Sequence, residues 1–146
     1  MRITTKGRYA MRAMVHLAAV DRTSPFPAGQ IAVAEKISPE FLEQIFYRLK
    51  KAGIIRSVRG PRGGFFLERD PGTISVKEIL NAVEEDIQPA PCAHSTSDCP
   101  RGEQCRLAAL WQNLYKLQDS YLSSVTLKDI LSEHVSSLPP EPAAKS

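Results

Sequence analysis

A mainly α-helical fold with a small β-hairpin wing is predicted: a winged helix-turn-helix domain followed by a long C-terminal dimerisation helix. Three observations predict it. Apolar residues recur at helical spacing through most of the first half of the chain. A glycine-rich turn, Gly60-Pro61-Arg62-Gly63-Gly64, separates two short β-prone runs directly after the third helical segment. The patterned part of the chain then closes on an amphipathic helix of about five turns. Three short helices followed by a basic hairpin is the element order of a winged helix-turn-helix.

Thr4 and Thr5 can cap a first helix running to about Val20, with Tyr9, Ala10, Ala13, Met14, Leu17 and Ala18 on one stripe. Ser24-Pro25-Phe26-Pro27 breaks the chain, and Gln30 to Lys36 reads as a short second helix. Ser38-Pro39-Glu40 supplies a cap, a proline at the first helical position and an acid in the first turn, so a third helix starts there. Its apolar residues Phe41, Leu42, Ile45, Phe46 and Leu49 share a face and leave Glu40, Glu43, Gln44, Tyr47, Arg48 and Lys51 around the other. Ile54 to Val58 and Phe65 to Leu67 are the two strands of the hairpin. A fourth helix is expected from Ile74 to about Glu84, and a loop from Glu85 to Gln104. The long helix runs from about Glu103 to Leu122, with Leu107, Leu110, Trp111, Leu114, Leu117 and Tyr121 on one stripe. Nothing nearby in the sequence is large enough to cover that stripe, so it predicts a two-fold homodimer. Val125 to Leu131 reads as a short further helix, and the proline-rich tail as disordered. The expected organisation is therefore a DNA-binding domain over 1–70, a linker helix, cysteine loop (85–105) and dimerisation helix over 71–133, and a tail over 134–146.

The net charge of +3 conceals a segregation. Residues 1–70 carry 13 Lys/Arg against 6 Asp/Glu, and residues 71–146 carry 6 against 10. A basic front half points to a polyanion, and double-stranded DNA is the partner that a helix-turn-helix presents itself to. Gln can pair with adenine edges, Glu can accept from cytosine amino groups, and Arg or Lys can reach guanine or phosphate. The expected DNA contacts are Glu40, Glu43, Gln44, Arg48 and Lys51 on the third helix, Arg59 and Arg62 in the wing, and Lys6 near the start of the chain; Arg8 and Lys50 are further phosphate candidates. The bland alternative is a solvated helix face and exposed turn charges. No run of about eighteen apolar residues is present, so no membrane span is expected. Paired carboxylates, a nucleophile with its base and a phosphate-cradling glycine loop are likewise missing from the pattern, which argues against an enzyme.

All three cysteines, Cys92, Cys99 and Cys105, fall in one short segment, spaced C-x6-C-x5-C. The chain opens without an apolar signal segment, so a reducing cytoplasm is expected, where clustered thiols are metal ligands more often than disulfides. Soft sulfur selects iron–sulfur clusters, zinc or copper(I). Zinc with His94 as fourth ligand, redox-active thiols and simple packing are the competing readings. A loop of about twenty residues is uncommon in a small domain unless something orders it, and a bound cluster would.

The opening Met1 to Met11, the stretch Phe41-Leu42-Glu43-Gln44-Ile45-Phe46 with Arg48-Leu49-Lys50-Lys51, and Ser57-Val58-Arg59-Gly60-Pro61 with Gly63-Gly64-Phe65 resemble the bacterial Rrf2 family of transcription regulators. The resemblance runs from Met1 to about Leu131. It implies a dimeric winged-helix repressor or activator, supports Glu43 and Gln44 as base readers, and implies that Cys92, Cys99 and Cys105 ligate an iron–sulfur cluster. One non-cysteine ligand per site is similar to the 2Fe–2S branch of that family, the favoured expectation, although three cysteines with a labile ligand also suit 4Fe–4S. There are departures. The 2Fe–2S branch takes a fourth ligand from a histidine three residues after the last cysteine, a position held here by Ala108. A nitric-oxide-sensing branch uses an acidic residue near the start of the partner's first helix, where this chain has Arg8. The first cysteine gap is one residue longer than in the 2Fe–2S branch, and Glu40 replaces a small hydroxyl residue. His94, Asp98 and Glu103 are the nearest side chains that could complete the ligand set; a residue of the second subunit or a small thiol could also do so. The competing function is an iron–sulfur or zinc carrier whose basic half binds a protein.

Overall fold

A computed structural model of the protein describes residues 2–21, 23–94 and 99–135. Among the described residues, six α-helices and one hairpin carry the fold. The first, α1 (Thr5–Ala19), is capped by Thr4, whose hydroxyl accepts from the Gly7 amide. Next, α2 (Ala28–Glu35) stops at Lys36, which adopts the left-handed conformation at φ 54°. Ser38 then caps α3 (Pro39–Lys51) through the Phe41 amide at 3.2 Å. Glu40 in its first turn and Arg48, Lys50 and Lys51 in its last turn match the helix dipole.

The hairpin pairs β1 (Ile55–Val58) with β2 (Gly64–Leu67) antiparallel, from Ile55 opposite Leu67 to Val58 opposite Gly64. A third edge joins it. Phe26 exchanges two backbone hydrogen bonds with Phe65, at 3.0 and 2.9 Å. Flanking prolines mark this segment as a break in the sequence, yet Phe26 lies between them with its own amide intact. Gly64 admits the approach, because a Cβ there would stand 2.4 Å from the Phe26 carbonyl oxygen.

After a short 3-10 turn at Pro71–Thr73 come α4 (Val76–Ala82), α5 (Ala108–Ser124) and α6 (Leu127–Leu131). Ser75 with Glu78 and Thr126 with Asp129 form capping boxes on α4 and α6. The two starts are joined: the Val76 amide donates to the Val125 carbonyl at 2.8 Å and the Leu127 amide to the Ile74 carbonyl at 3.0 Å. The long helix begins at Ala108, later than the expected position near Glu103. Gly102 at φ +52° and the extended backbone of Cys105 interrupt the helix before that point.

One core gathers Ala10, Ala13, Met14 and Leu17 of α1, Leu42, Ile45, Phe46 and Leu49 of α3, and Ile54, Ile55 and Leu67 of the hairpin. Ile74, Ile79, Val83 and Leu127 belong to the same cluster, so packing runs without a gap across position 70. Phe46 is fully buried and meets Phe65 edge to face at 4.7 Å, seating the wing on the third helix. A smaller cluster of Val76, Leu80 and Val125 receives Tyr121 and Leu122. The C-terminal end of the α5 stripe is thus partly covered within the chain. Leu107, Leu110 and Leu117 stay about half exposed, at 52%, 54% and 51%. The tail residues 136–146, expected to be disordered, lie outside the described residues.

Candidate nucleic-acid interface and cysteine loop

The apolar face of α3 is fully committed to the core, and that commitment orients its opposite face outward. Glu40, Glu43, Gln44, Lys50 and Lys51 are exposed, as is Tyr47 at 67%. Arg48 is half-buried at the flank of this face, and its Nη1 donates to Glu84 Oε2 at 2.5 Å. Glu84 follows α4 in the left-handed conformation, φ 57°. The Arg48 hydrogen bond, with the charges of Arg48, Lys6 and Lys51, holds the Glu84 carboxyl below the usual carboxylate range. Lys6 itself is half-buried in the first turn of α1. Between α3 and α4 lies an open groove of about 600 Å³, bordered by Gln44, Tyr47, Arg48, Lys51, Asn81 and Glu84.

In the wing, Arg59 and Arg62 stand exposed at the turn, and neither makes an ion pair among the described residues. Gly60 at φ +116° turns the chain, and the Gly63 amide donates back to its carbonyl at 2.9 Å. Arg56 differs: its guanidinium lies 4.5 Å from the centre of the Phe66 ring and approaches Glu68. Among the described residues, the wing therefore offers Arg59 and Arg62 without an ion pair and holds Arg56 back.

Cys92 sits in a 3-10 turn, Pro91–Ala93, whose Ala93 is buried; Cys99 and Cys105 flank a second such turn at Gly102–Gln104. All three are free, half-buried thiols. Among the described residues, no group of three or more His, Cys, Asp or Glu side chains is placed to hold a metal ion. Asp98 lies outside the described residues, as does the side chain of Glu103. His94 is exposed, with its ring edge-on to Tyr115 at 5.1 Å. Ala108 is buried at the start of α5 and offers only a methyl group. Arg8 donates to Thr5 on its own helix at 3.2 Å.

Two ties connect this loop to the front of the molecule. Lys77 on α4 pairs with Asp119 on α5 and lies 5.5 Å from the Tyr115 ring centre, beside His94. Burial pulls the Lys77 ammonium down, but the hydrogen bond and charge of Asp119, with Tyr115, raise it overall. At the start of the loop, Glu85 is buried and accepts from the Thr4 amide at 2.8 Å and the Thr4 hydroxyl at 2.5 Å. Sequence reasoning missed Glu84, Glu85, His16 and Phe26. His16 bonds Glu35 on α2 at 3.0 Å and packs on Phe26. For Glu84 and Glu85 the one available signal was an acidic run, Glu84-Glu85-Asp86, directly after a helix.

A winged helix with an exposed third helix and a free basic wing is the reading head of a DNA-binding transcription regulator. The family model described as "Iron-dependent Transcriptional regulator", Rrf2, matches residues 3–133. The chain belongs to the Rrf2 family. It is 40% identical over 131 residues to the HTH-type transcriptional regulator IscR of Klebsiella pneumoniae, covering 90% of this chain and 80% of that one. Among solved structures it is similar to T. potens IscR, at 30% identity and a TM-score of 0.73 over 91% of this chain and 88% of that one. It is also similar to CymR, the global cysteine regulator of B. subtilis, at 28% identity and a TM-score of 0.70 over 91% and 98%. These relatives are named as regulators, a non-enzymatic class. Among the described residues no helix is long and apolar enough to cross a membrane.

Proposed function

We propose that the protein is a homodimeric, sequence-specific regulator whose operator binding responds to an iron–sulfur cluster held by Cys92, Cys99 and Cys105. The observation that carries this reading is the position of the three thiols. They lie on one segment that starts at Glu85, which is bonded to the N-terminus of α1, and ends at α5, which bears the exposed leucines. The donor chemistry fits the group: three soft, partly exposed thiols with no disulfide between them. When bound, a cluster supplies a cross-link of the segment and a charge that changes with redox state. 2Fe–2S is favoured over 4Fe–4S, with His94 the candidate fourth ligand since Ala108 has no donor. The reading carries with it a reducing, cytoplasmic location.

On the DNA side, Glu43 and Gln44 read base edges in the major groove, with Glu40 beside them, while Arg59 enters the adjacent minor groove. Arg62, Lys6, Lys51 and Arg48 serve phosphates. Leu107, Leu110 and Leu117 bury themselves against the same helix of a second copy, placing two reading heads on one palindromic operator. Closing the segment onto one ligand set favours one subunit arrangement, and DNA affinity follows from that preference.

Anaerobic purification followed by absorption spectroscopy and iron and sulfide analysis tests the reading. A coloured dimer with stoichiometric iron and sulfide is expected, together with altered operator affinity in Cys92→Ala, Cys99→Ala and Cys105→Ala. A colourless protein with stoichiometric zinc overturns the cofactor. Cysteine variants that bind the operator like the reconstituted protein overturn the sensor.

A further inference from the structure

Glu84 is an anion in a place made for one. Arg48 on the recognition helix donates to it at 2.5 Å, and Lys6 at the start of α1 and Lys51 at the end of α3 bear on the same carboxylate. One guanidinium of the reading head thus pairs with a carboxylate whose side chain is 74% accessible, and Lys51 borders the same groove. The carboxylate stands at the rim of the groove beside Gln44, Tyr47 and Lys51, on the side of α3 that turns away from the core. An exposed ion pair contributes little to stability, so its folding role is small. Its effect on a phosphate is larger. A carboxylate on a guanidinium occupies the same donors that a phosphate oxygen would take, and adds repulsion toward the backbone of a duplex.

We propose that Arg48, Lys6 and Lys51 form a DNA-phosphate subsite that Glu84 covers in the absence of DNA, so that Glu84 is a built-in phosphate mimic which binding must displace. The inference rests on the DNA-binding reading of α3. Glu84 is well placed for such a role because of its neighbours in sequence. It directly precedes Glu85, the residue anchored to Thr4, and the chain then leads into the cysteine segment. Its left-handed backbone projects it back toward α3 without continuing the helix. A change in the path of the segment beyond Glu85 therefore has a direct route to the availability of Arg48.

The test compares the parent protein with Glu84→Gln, Arg48→Ala and the double variant, titrating a labelled duplex carrying the preferred sequence at several salt concentrations. Glu84→Gln keeps the shape and removes the charge. It is expected to bind about fivefold more tightly at about 50 mM salt, with a log–log salt slope steeper by about 0.9, the signature of one added phosphate contact. That steeper slope narrows the advantage to less than twofold by about 200 mM salt. In the Arg48→Ala background the same substitution is expected to lose most of its effect. Unchanged affinity and slope in Glu84→Gln, with normal binding by the parent protein, overturn the covered subsite and leave the DNA-binding reading standing. Weaker binding by Glu84→Gln overturns it too, by making the carboxylate an aid that orients Arg48. A parent protein with no salt-dependent affinity for any duplex overturns both.

Discussion

Glu85 clasps Thr4: one carboxylate oxygen takes the Thr4 amide at 2.8 Å and the other its hydroxyl at 2.5 Å, at a position where Glu85 is only 7% exposed. The clasp explains Gly7. A Cβ there would stand 2.6 Å from Glu85 Oε2 and 2.9 Å from its carboxyl carbon, so glycine leaves room for the carboxylate over the first turn of α1. Glu85→Ala is expected to lower stability by about 2 kcal/mol, because the Thr4 donors lose a charged acceptor. Gly7→Ala ordinarily stabilises a helix by about 0.5–1 kcal/mol. Here it is expected to destabilise, and to recover its ordinary sign when made in Glu85→Ala. Chemical denaturation of the four proteins checks this; a stabilising Gly7→Ala in the parent chain would refute it.

Glu35 gives the acid limb of the stability curve a specific carrier. Its carboxyl is held below the ordinary value by the hydrogen bond from His16 Nδ1 at 3.0 Å, with Arg12 adding to this and burial opposing it. A carboxyl depressed on folding contributes stability that is complete above its unfolded pKa, about 4.3, and is lost as pH falls through the folded value. Glu35→Gln is expected to be less stable at neutral pH and to show a flatter decline below about pH 4.5. Urea titrations across that range read the difference, and parallel curves would remove Glu35 from the account.

Gly64 is expected to resist even a methyl group. Its Cβ would meet backbone atoms of Phe26 at 2.4 and 2.5 Å, which no side-chain rotation relieves. Gly64→Ala should cost about 1–3 kcal/mol and loosen the wing. Hydrogen exchange of the Phe26 and Phe65 amides, which bond each other's carbonyls, reports the loosening directly. Unchanged protection of both would show that the third edge is dispensable.

Leu110 and Leu117 on α5 are half exposed. Burying two leucines contributes roughly 3–6 kcal/mol, so Leu110→Lys with Leu117→Lys should weaken self-association by at least a hundredfold. Sedimentation over a concentration series measures it. A double variant that stays dimeric at submicromolar concentration would place the subunit contact on another face.

The helical stripes, the Ser38-Pro39 start and the glycine turn made the reading head legible, because each is a local signal with a local cause. Less legible was everything that depends on chain return. The Phe26 edge is hidden because prolines on both sides read as a break, while the amide that matters belongs to the residue between them. The burial of Leu127 with α1 has no counterpart in a short pattern such as Val125 to Leu131. Arg48 was readable as a cation on the free face of α3, yet its carboxylate partner is distant in sequence and comes from a residue in a conformation uncommon outside glycine. The start of α5 was misjudged since Glu103 to Leu107 has helical composition, whereas Gly102 and Cys105 take backbone angles that end any such run.

The pair of bonds joining Ile74 to Leu127 and Val76 to Val125 has an evolutionary corollary. The chain between α4 and α5 therefore joins two helices whose far ends are already stitched together, like a drawstring loop whose mouth is closed. Adding or deleting a residue inside such a loop alters its closure entropy only slightly, since even a doubling of length costs about 0.6 kcal/mol. A residue added between Cys92 and Cys99 is therefore absorbed in the excursion itself. Sulfur spacing can drift between relatives while the groove-reading surface stays in register.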